Sequence, residues 1–478
     1  MYWIHRYTNY FMLILLLLLA NIICQAQQMA QSIDTRLQGK VPYVVISNYS
    51  SNTYICMQTA ESYVVKKFNS SMGEWSSMAT PSIPNRCSQL IFVKKDTTFI
   101  ALYELRQGKN ATFYTQLFDT SFRAIGTAKE WTRITVSKNF ADIDIVQSEN
   151  KKHIALLYAT EHNDHTTAHY IIADNAFGNY TLHAIDLGDI SSTTEMKLNV
   201  FNNGNAVFTI AGSNKDNLTE SMQVYGIVNG VASATPINLN FKNTAYNYSI
   251  LQEDNLQNKL IICMPYAALS NSENNYIWKI TYDVASNTIT NSAAIKMGIF
   301  VNKKNDIDAY ANYLPRKIIV KSNGDVILVS EFFDMQEQMI STDMSHLVGS
   351  NPFRVNRLVK QYTYGDIIFT NISAQDSIIW QHTVRKNQAT ENDEGFFSSY
   401  AMALIKNKIA ITFNSLDRNN TVQQALMATN GETIYAILND AKIETRNLVF
   451  KQAKQITNNE IIVPCNRQNI FSFVKIRF

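Results

Sequence analysis

Apolar and polar positions alternate along this chain in short runs, and long 3.6-residue periodicity is hard to find. Period-two runs bounded by Asn, Asp, Ser and Gly predict a many-stranded β protein. The runs also recur in one form. It is seen in "YVVKKFNSSMGEW" from Tyr63, "YTQLFDTSFRAI" from Tyr114, "YIIADNAFGNYTLHAI" from Tyr170 and "VYGIVNGVASATPI" from Val224. It returns in "WKITYDVASNTI" from Trp278, "YGDIIFTNISAQDSIIW" from Tyr364 and "IYAILNDAKIET" from Ile434. Each reads as a strand, an Asn or Asp, a polar turn and a second strand. The Asx residues are Asn69, Asp119, Asp174, Asn229, Asp283, Asn371 and Asn439. Such side chains bond the backbone two residues on and tolerate the left-handed conformations of tight turns.

A nearly all-apolar run precedes each hairpin from the second onward: "TTFIALYEL", "KKHIALLYA", "GNAVFTIAG", "NKLIICMPY", "GDVILVSEF" and "NKIAITFNS". A strand without polar alternation is buried on both faces. A further short strand lies before it, as in "SQLIFVKK" and "RKIIVKSNG". The unit is therefore four strands, a to d, with b central and c–d the outer hairpin. The first five Asx markers fall roughly 50 to 55 residues apart, a period that predicts sheets packed radially as blades. Seven c–d hairpins predict an all-β fold, a seven-bladed β-propeller of four-stranded antiparallel sheets, with six to eight blades admitted. The closing "EIIVPCNRQNIFSFVKIRF" supplies strands with no hairpin after them. Pairing of these C-terminal strands with the N-terminal region, in the blade of the first hairpin, would leave no open sheet edge. A parallel β-helix would show a shorter period. An outer-membrane barrel, suggested by Val474, Ile476 and Phe478, would alternate apolar-out and polar-in, unlike the b strands.

The first residues, "MYWIHRYTNYFMLILLLLLANIICQAQQ", place Arg6 before an apolar run and a small-residue exit. Cys24 and Ala26 fit the −3 and −1 positions of a signal peptidase site. The expected organisation is a signal peptide over 1–26, cleaved after Ala26, a linker over 27–41 and one propeller domain over 42–478. A lipidated Cys24 is the rival reading. No second apolar span follows, so the mature chain is not expected to be an integral membrane protein. The expected location is the periplasm or the outer-membrane or cell surface. Forty-two basic and 39 acidic side chains are mixed without a basic block, which excludes a nucleic-acid partner. Cys263, inside "LIICM", reads as a buried free thiol. Cys56 and Cys465 would meet if the termini pair.

Two insertions break the period, at about 334–362 and 385–397. In an a-b-c-d blade both fall on the face of the b–c and d–a connections, and long loops clustered on a rigid scaffold are where binding resides. The candidate contact residues are Asp334, Met335, Met339, His346, Phe353, Arg354, Arg385, Lys386, Asp393 and Phe396. His162, His165 and His169 in "EHNDHTTAH" have weak metal-ligand spacing, though zinc needs three or four converging groups. Calcium needs six or more oxygens, and no D-x-D-x-D-G loop supplies them. No cofactor is therefore expected. Nucleophile, zincin and phosphate-loop motifs are absent, as are aspartate-box, kelch and WD signatures.

The stretch "YTYGDIIFTNISAQDSIIWQHTVRKNQ…GFFSSYAMALIKNKIAITFN", residues 362 to 414, resembles a family of uncharacterised exported β-propeller-like proteins of Bacteroidota. Y-G-D-I-I, a later Trp and S-S-Y carry the likeness, and the exit "CQAQQ" is similar to leaders of that phylum. The resemblance implies export and fold and no activity. The expected function is a non-catalytic propeller scaffold binding an envelope protein or glycan through its long-loop face. The alternative is a carbohydrate-active hydrolase or lyase with a carboxylate or metal site near the channel.

Overall fold

The computed structural model describes residues 29–478, leaving out 33–34, 37–42, 50–51, 60, 70, 73, 86, 88, 96, 136–142, 163–164, 179, 189–193, 214–218, 234–235, 241–243, 247–248, 269–270, 298–299, 302–306, 309–311, 344–353, 416–420, 439–446 and 468–469. The expected signal peptide and most of the expected linker lie outside these residues. Among them there is no α-helix. Eight antiparallel sheets of four or five strands follow one another along the chain. Their residues span 43–79, 90–135, 144–188, 194–240, 244–296, 313–391, 401–438 and 454–477, and they are numbered one to eight in that order. A small two-stranded ladder joins Phe300–Val301 to Ile307–Asp308.

Each unit follows the expected a-b-c-d order. The b strands are buried along nearly their whole length, as in Thr98–Gln107, Lys408–Asn414 and Glu460–Arg467. The outermost strands alternate with solvent, as in Leu182–Gly188 and Thr288–Lys296. A side chain moved from water into such a core contributes roughly 1.5–3 kcal/mol for Val, Leu, Ile or Phe, so the b strands dominate the stability of each sheet.

The number of units differs from the seven expected. The first hairpin, Tyr63–Ala79, has its own inner strands in Tyr43–Tyr49 and Asn52–Gln58 and does not borrow the C-terminal ones. The strands Lys454–Thr457, Glu460–Arg467 and Ile470–Arg477 form an eighth sheet instead. Its remaining place is taken by Met29–Gln31, in register with Ile476–Val474. The N- and C-terminal strands thus pair. Counting Asx hairpins missed this unit because its outer strand comes from the other end of the chain.

Eight apolar clusters join neighbouring sheets. Tyr54, Cys56 and Val65 of sheet one pack with Phe92 and Phe99 of sheet two, and Leu102 and Phe113 of sheet two with Ile154 and Leu156 of sheet three. The series continues through sheets three and four, four and five, five and six, six and seven, and seven and eight. The last cluster brings Ile462, Phe471 and Phe473 of sheet eight against Ile55, Met57 and Phe68 of sheet one. Side-chain bonds repeat the same links at the polar turns before the b strands. Asn202 Oδ1 accepts from the Asn150 N–H at 2.8 Å, and Asn255 Oδ1 from the Asn202 N–H at 2.8 Å.

The Asx turns are formed at Asn69, Asp119, Asp174 and Asp283, whose side-chain oxygens accept from backbone N–H groups two or three residues on. Asn229, at φ +52°, and Gly230 join the directly paired Val228 and Val231. The sixth marker is misplaced. Asn371 lies inside a strand, buried and opposite Trp380. The turn there is made by Ser373, whose hydroxyl accepts from the Gln375 and Ser377 N–H groups. Asn439 lies outside the described residues. The four described cysteines, Cys56, Cys87, Cys263 and Cys465, are buried and form no disulfide with one another. Cys56 sits in the cluster between sheets one and two and Cys465 in that between seven and eight, so the two do not meet. Burial pushes the Cys56 and Cys263 thiols up to about 12.

Candidate functional site

The described parts of the first insertion are strands. Val326–Asp343 and Arg354–Ile372, the b and c strands of sheet six, continue outward as one ribbon, paired from Val326–Ile372 to Asp343–Arg354. The second insertion supplies Gln388–Glu391, which pairs with Gln361–Tyr364 at the ribbon's root. Asn392 then clamps the same strand: its N–H donates to Lys360 O at 2.9 Å, and its side-chain oxygen accepts from the Lys360 N–H at 3.0 Å.

Two bulges shape the root. In the inner strand of sheet six, Pro315 pairs with Ser330 and Lys317 with Val329, leaving Arg316 as an extra residue. On the other side of the b strand, Glu331 pairs with Ile367 and Phe333 with Tyr364, so Gly365 and Asp366 together face Phe332. Bulges of this kind re-aim side chains. A Cβ at Gly365 would lie 2.9 Å from the Phe332 ring, so only glycine fits there without displacement. The sequence Tyr364-Gly365-Asp366 is therefore a bulge signal.

Beneath the bulges lies a buried ion network. The Glu331 and Lys386 side chains are both 0% exposed, with Lys386 Nζ 2.9 Å from Glu331 Oε1. Arg316 Nε donates to Glu331 Oε2 at 3.0 Å and Ser399 Oγ donates to the same oxygen at 2.8 Å. Lys386 Nζ also donates to Tyr364 O and Gln388 Oε1. Gln388 in turn accepts from the Ser399 N–H and donates to Asn414 O, each at 2.7 Å. Asp366 pairs with Arg385 and accepts from the Lys386 N–H. A buried pair is expensive to desolvate and tolerable only when its remaining bonds are made. Those of Glu331 Oε2 and Lys386 Nζ are, while Glu331 Oε1 meets Lys386 as an ion pair with no further hydrogen bond among the described residues. Burial holds the Lys386 ammonium below its ordinary range, with Glu331 opposing the shift.

Above this floor opens a cavity of about 420 Å³ between sheets six and seven, lined by Arg316, Lys317, Tyr364, Ser399, Tyr400, Met402 and Lys451. Lys451 donates to Glu394 O at 3.1 Å and lies over the Phe396 ring, and Arg316 lies over the Tyr364 ring. Gly395, at φ +62°, backs Tyr364 so closely that a Cβ would stand 2.3 Å from its ring. Burial raises both phenols, Tyr400 most strongly, so they remain neutral donors at ordinary pH. The described lining thus holds three cations, two phenols and a hydroxyl, with no carboxylate among them.

The sequence-selected residues divide. Met335 and Met339 are exposed on the ribbon, at 47% and 66%, and Asp334 accepts from Gln336 Nε2. Lys386 is not a surface contact, because Glu331 takes its charge in the interior. Phe396 is buried against Phe397 and Lys451. Asp393 caps its own turn through the Gly395 N–H at 2.8 Å. Arg385 is half-exposed beside Asp366. Arg354 pairs with Asp343 at the last described rung; its side chain, His346 and Phe353 lie outside the described residues. His165 and His169 do not converge. His165 is exposed, 3.9 Å from Asp186. His169 stacks on Tyr158 and bonds Thr160, and the His162 side chain lies outside the described residues. Among the described residues no group of three His, Cys, Asp or Glu could hold a metal. Tyr364, Ser399 and Tyr400 were not among the sequence-selected residues, although Y-G-D and S-S-Y both stand in the stretch that carried the family resemblance.

No protein-family model matches the sequence. No curated protein matches it. Among solved structures the chain is similar to prolyl oligopeptidase B from Galerina marginata, with 8% identity, a TM-score of 0.41 and coverage of 89% of this chain and 55% of that one. It is similar to puromycin hydrolase, with 10% identity, a TM-score of 0.40 and coverage of 88% and 58%. It is also similar to an ulvan lyase, a polysaccharide lyase, with 9% identity, a TM-score of 0.36 and coverage of 80% and 90%. The chain spans little more than half the length of the first two. Likenesses this distant give it neither a family nor an activity.

Proposed function

We propose that this chain is an exported, non-catalytic propeller scaffold that captures a partner in the cell envelope through the ribbon and the cavity at its root. The propeller reading is supported by the eight clusters, which link each sheet to the next and sheet eight back to sheet one. On this reading the sheets are eight blades, and the pairing of Met29–Gln31 with the last strand closes the ring. Export is supported by the leader-like first 26 residues, and the periplasm or outer-membrane surface is the proposed location.

One observation carries the binding reading: two separate insertions build a single projecting ribbon whose root borders a cation-lined cavity. An enzyme needs an acid or base that reaches its substrate. Glu331, the carboxylate beneath this cavity, is fully buried and held by Arg316, Lys386 and Ser399, which removes it from acid–base chemistry there.

The test replaces residues 337–360 by Asn-Gly, so that the paired Gln336 and Gln361 flank a two-residue turn. Partner recovery from envelope extract is compared with that of the full chain. The expected result is a protein that still folds, by circular dichroism, with recovery reduced at least tenfold. Equal recovery by the shortened protein overturns the proposal.

A further inference from the structure

Directly opposed residues of an antiparallel pair share a face, as do residues two apart along a strand. The ribbon register therefore sets Phe333 with Tyr364, Met335 with Tyr362, Glu337 with Lys360 and Met339 with Leu358 on one face. Tyr364 on that face lines the cavity. Leu358 lies six residues farther out, about 20 Å at 3.3 Å per residue. Met335, Met339 and Leu358 are exposed at 47%, 66% and 49%, while Glu337 and Lys360 neutralise each other at 2.8 Å. A cation-lined cavity thus opens at one end of an apolar track on the same face.

The cavity attracts negative charge. Arg316, Lys317 and Lys451 line it. Two neighbouring acids are already paired with cations, Glu331 with Arg316 and Lys386 and Asp366 with Arg385, and Asp393 accepts from the Gly395 N–H. The track attracts apolar side chains. Exposed methionines suit it to varied ones, because thioether chains repack around different shapes. A polypeptide supplies both kinds of group at once, whereas an acidic sugar leaves the methionines and Leu358 uncovered.

We infer that this face binds an extended peptide segment of a partner protein, with one carboxylate in the root cavity and apolar side chains along the ribbon. This inference deepens, and rests on, the partner-capture reading. The carboxylate belongs to an Asp or Glu side chain or to a free C-terminus. The two sources share the same chemistry of charge-assisted bonds from lysine, arginine and phenol donors.

The experiment measures fluorescence polarisation of the full chain with two hexapeptide positional-scanning libraries, one C-terminally amidated and one with free C-termini. An oligoglucuronate serves as the sugar arm. The expected result is selection of one carboxylate flanked by Leu, Ile, Met or Phe, with the responding library identifying its source. Lys317→Ala and Lys451→Ala should each weaken the selected peptide about 5- to 10-fold and erase the acidic preference. Met339→Glu should weaken it by a similar factor while leaving that preference in place. Circular dichroism confirms that these surface variants fold. Absence of acidic selection, acidic selection unchanged in both lysine variants, or tighter binding of oligoglucuronate than of any peptide overturns the inference. If the ribbon-shortened protein loses its envelope partner while the libraries stay silent, only the peptide inference fails. If it keeps the partner while the libraries respond, the capture reading fails.

Discussion

Glu331 and Lys386 show what a buried charge costs and what holds it. Both side chains are inaccessible to solvent, and each depends on the other and on their neighbours for compensation of its charge. Lys386→Met should therefore destabilise the fold by about 3–5 kcal/mol, the cost of leaving a charge buried with too few partners. The double variant Glu331→Leu with Lys386→Met should lose markedly less. Urea denaturation of the two proteins checks this, and equal losses would show that the pair is not coupled. The histidines supply a second residue-scale prediction. Burial lowers His153, His169 and His382 below the ordinary value near 6.5. The unfolded chain then binds protons first as pH falls, so these residues favour the native state above pH 6.5 and lose that effect below it. The thermal midpoint should drop between pH 7 and pH 5, and His169→Gln should flatten part of the drop. A profile equally steep in that variant would exclude His169 as a contributor. The sequence showed Lys386 as a charge beside an insertion. It could not show that a carboxylate 55 positions earlier would bury it, because that meeting depends on a bulge and a cross-strand pairing.

At the scale of elements, the b strands and most Asx turns were legible because their signals are local: an unbroken apolar run and a side chain that folds back on its own turn. The sixth hairpin misled because Asn371 stood where a turn residue was expected, while Ser373 provides the same bonds two positions later. Asp376 in that turn is structural: it pairs with Lys279 of sheet five at 2.8 Å. Trp380 bridges sheets six and seven, its Nε1 donating to Thr429 O at 3.1 Å. The insertion at 334–362 read as a loop because its apolar positions are sparse, yet 334–343 and 354–362 continue a strand pairing set up in the core. Gly365, a lone glycine in a strand pattern, was the available clue to the bulge that turns Tyr364 toward the cavity.

Over the whole molecule, the repeat period led to the arrangement of sheets, and the eighth unit was hidden by its split between the two ends of the chain. Met29–Gln31 and Thr35–Arg36 both pair with the last strand, and the Ser32 hydroxyl and N–H bond Phe473. Removing residues up to 36 exposes that edge. At about 1 kcal/mol for each lost hydrogen bond, stability should fall by several kcal/mol, and the effect should reach sheet one through the Phe471 and Phe473 cluster. Hydrogen exchange would show it as faster exchange in both 52–68 and 460–477, and acceleration confined to the C-terminal strand would argue against a closed ring. The outermost strand of sheet seven also exposes apolar side chains, Ile434 on one face and Tyr435 and Ile437 on the other. Ile434 provides the sharpest control for capture by the ribbon. A photo-crosslinking side chain placed at Met339 on the ribbon, or at Ile434, can be activated in intact cells. A ribbon that captures the partner gives a discrete adduct from position 339 and none from 434. An adduct from 434 with none from 339 would contradict capture by the ribbon.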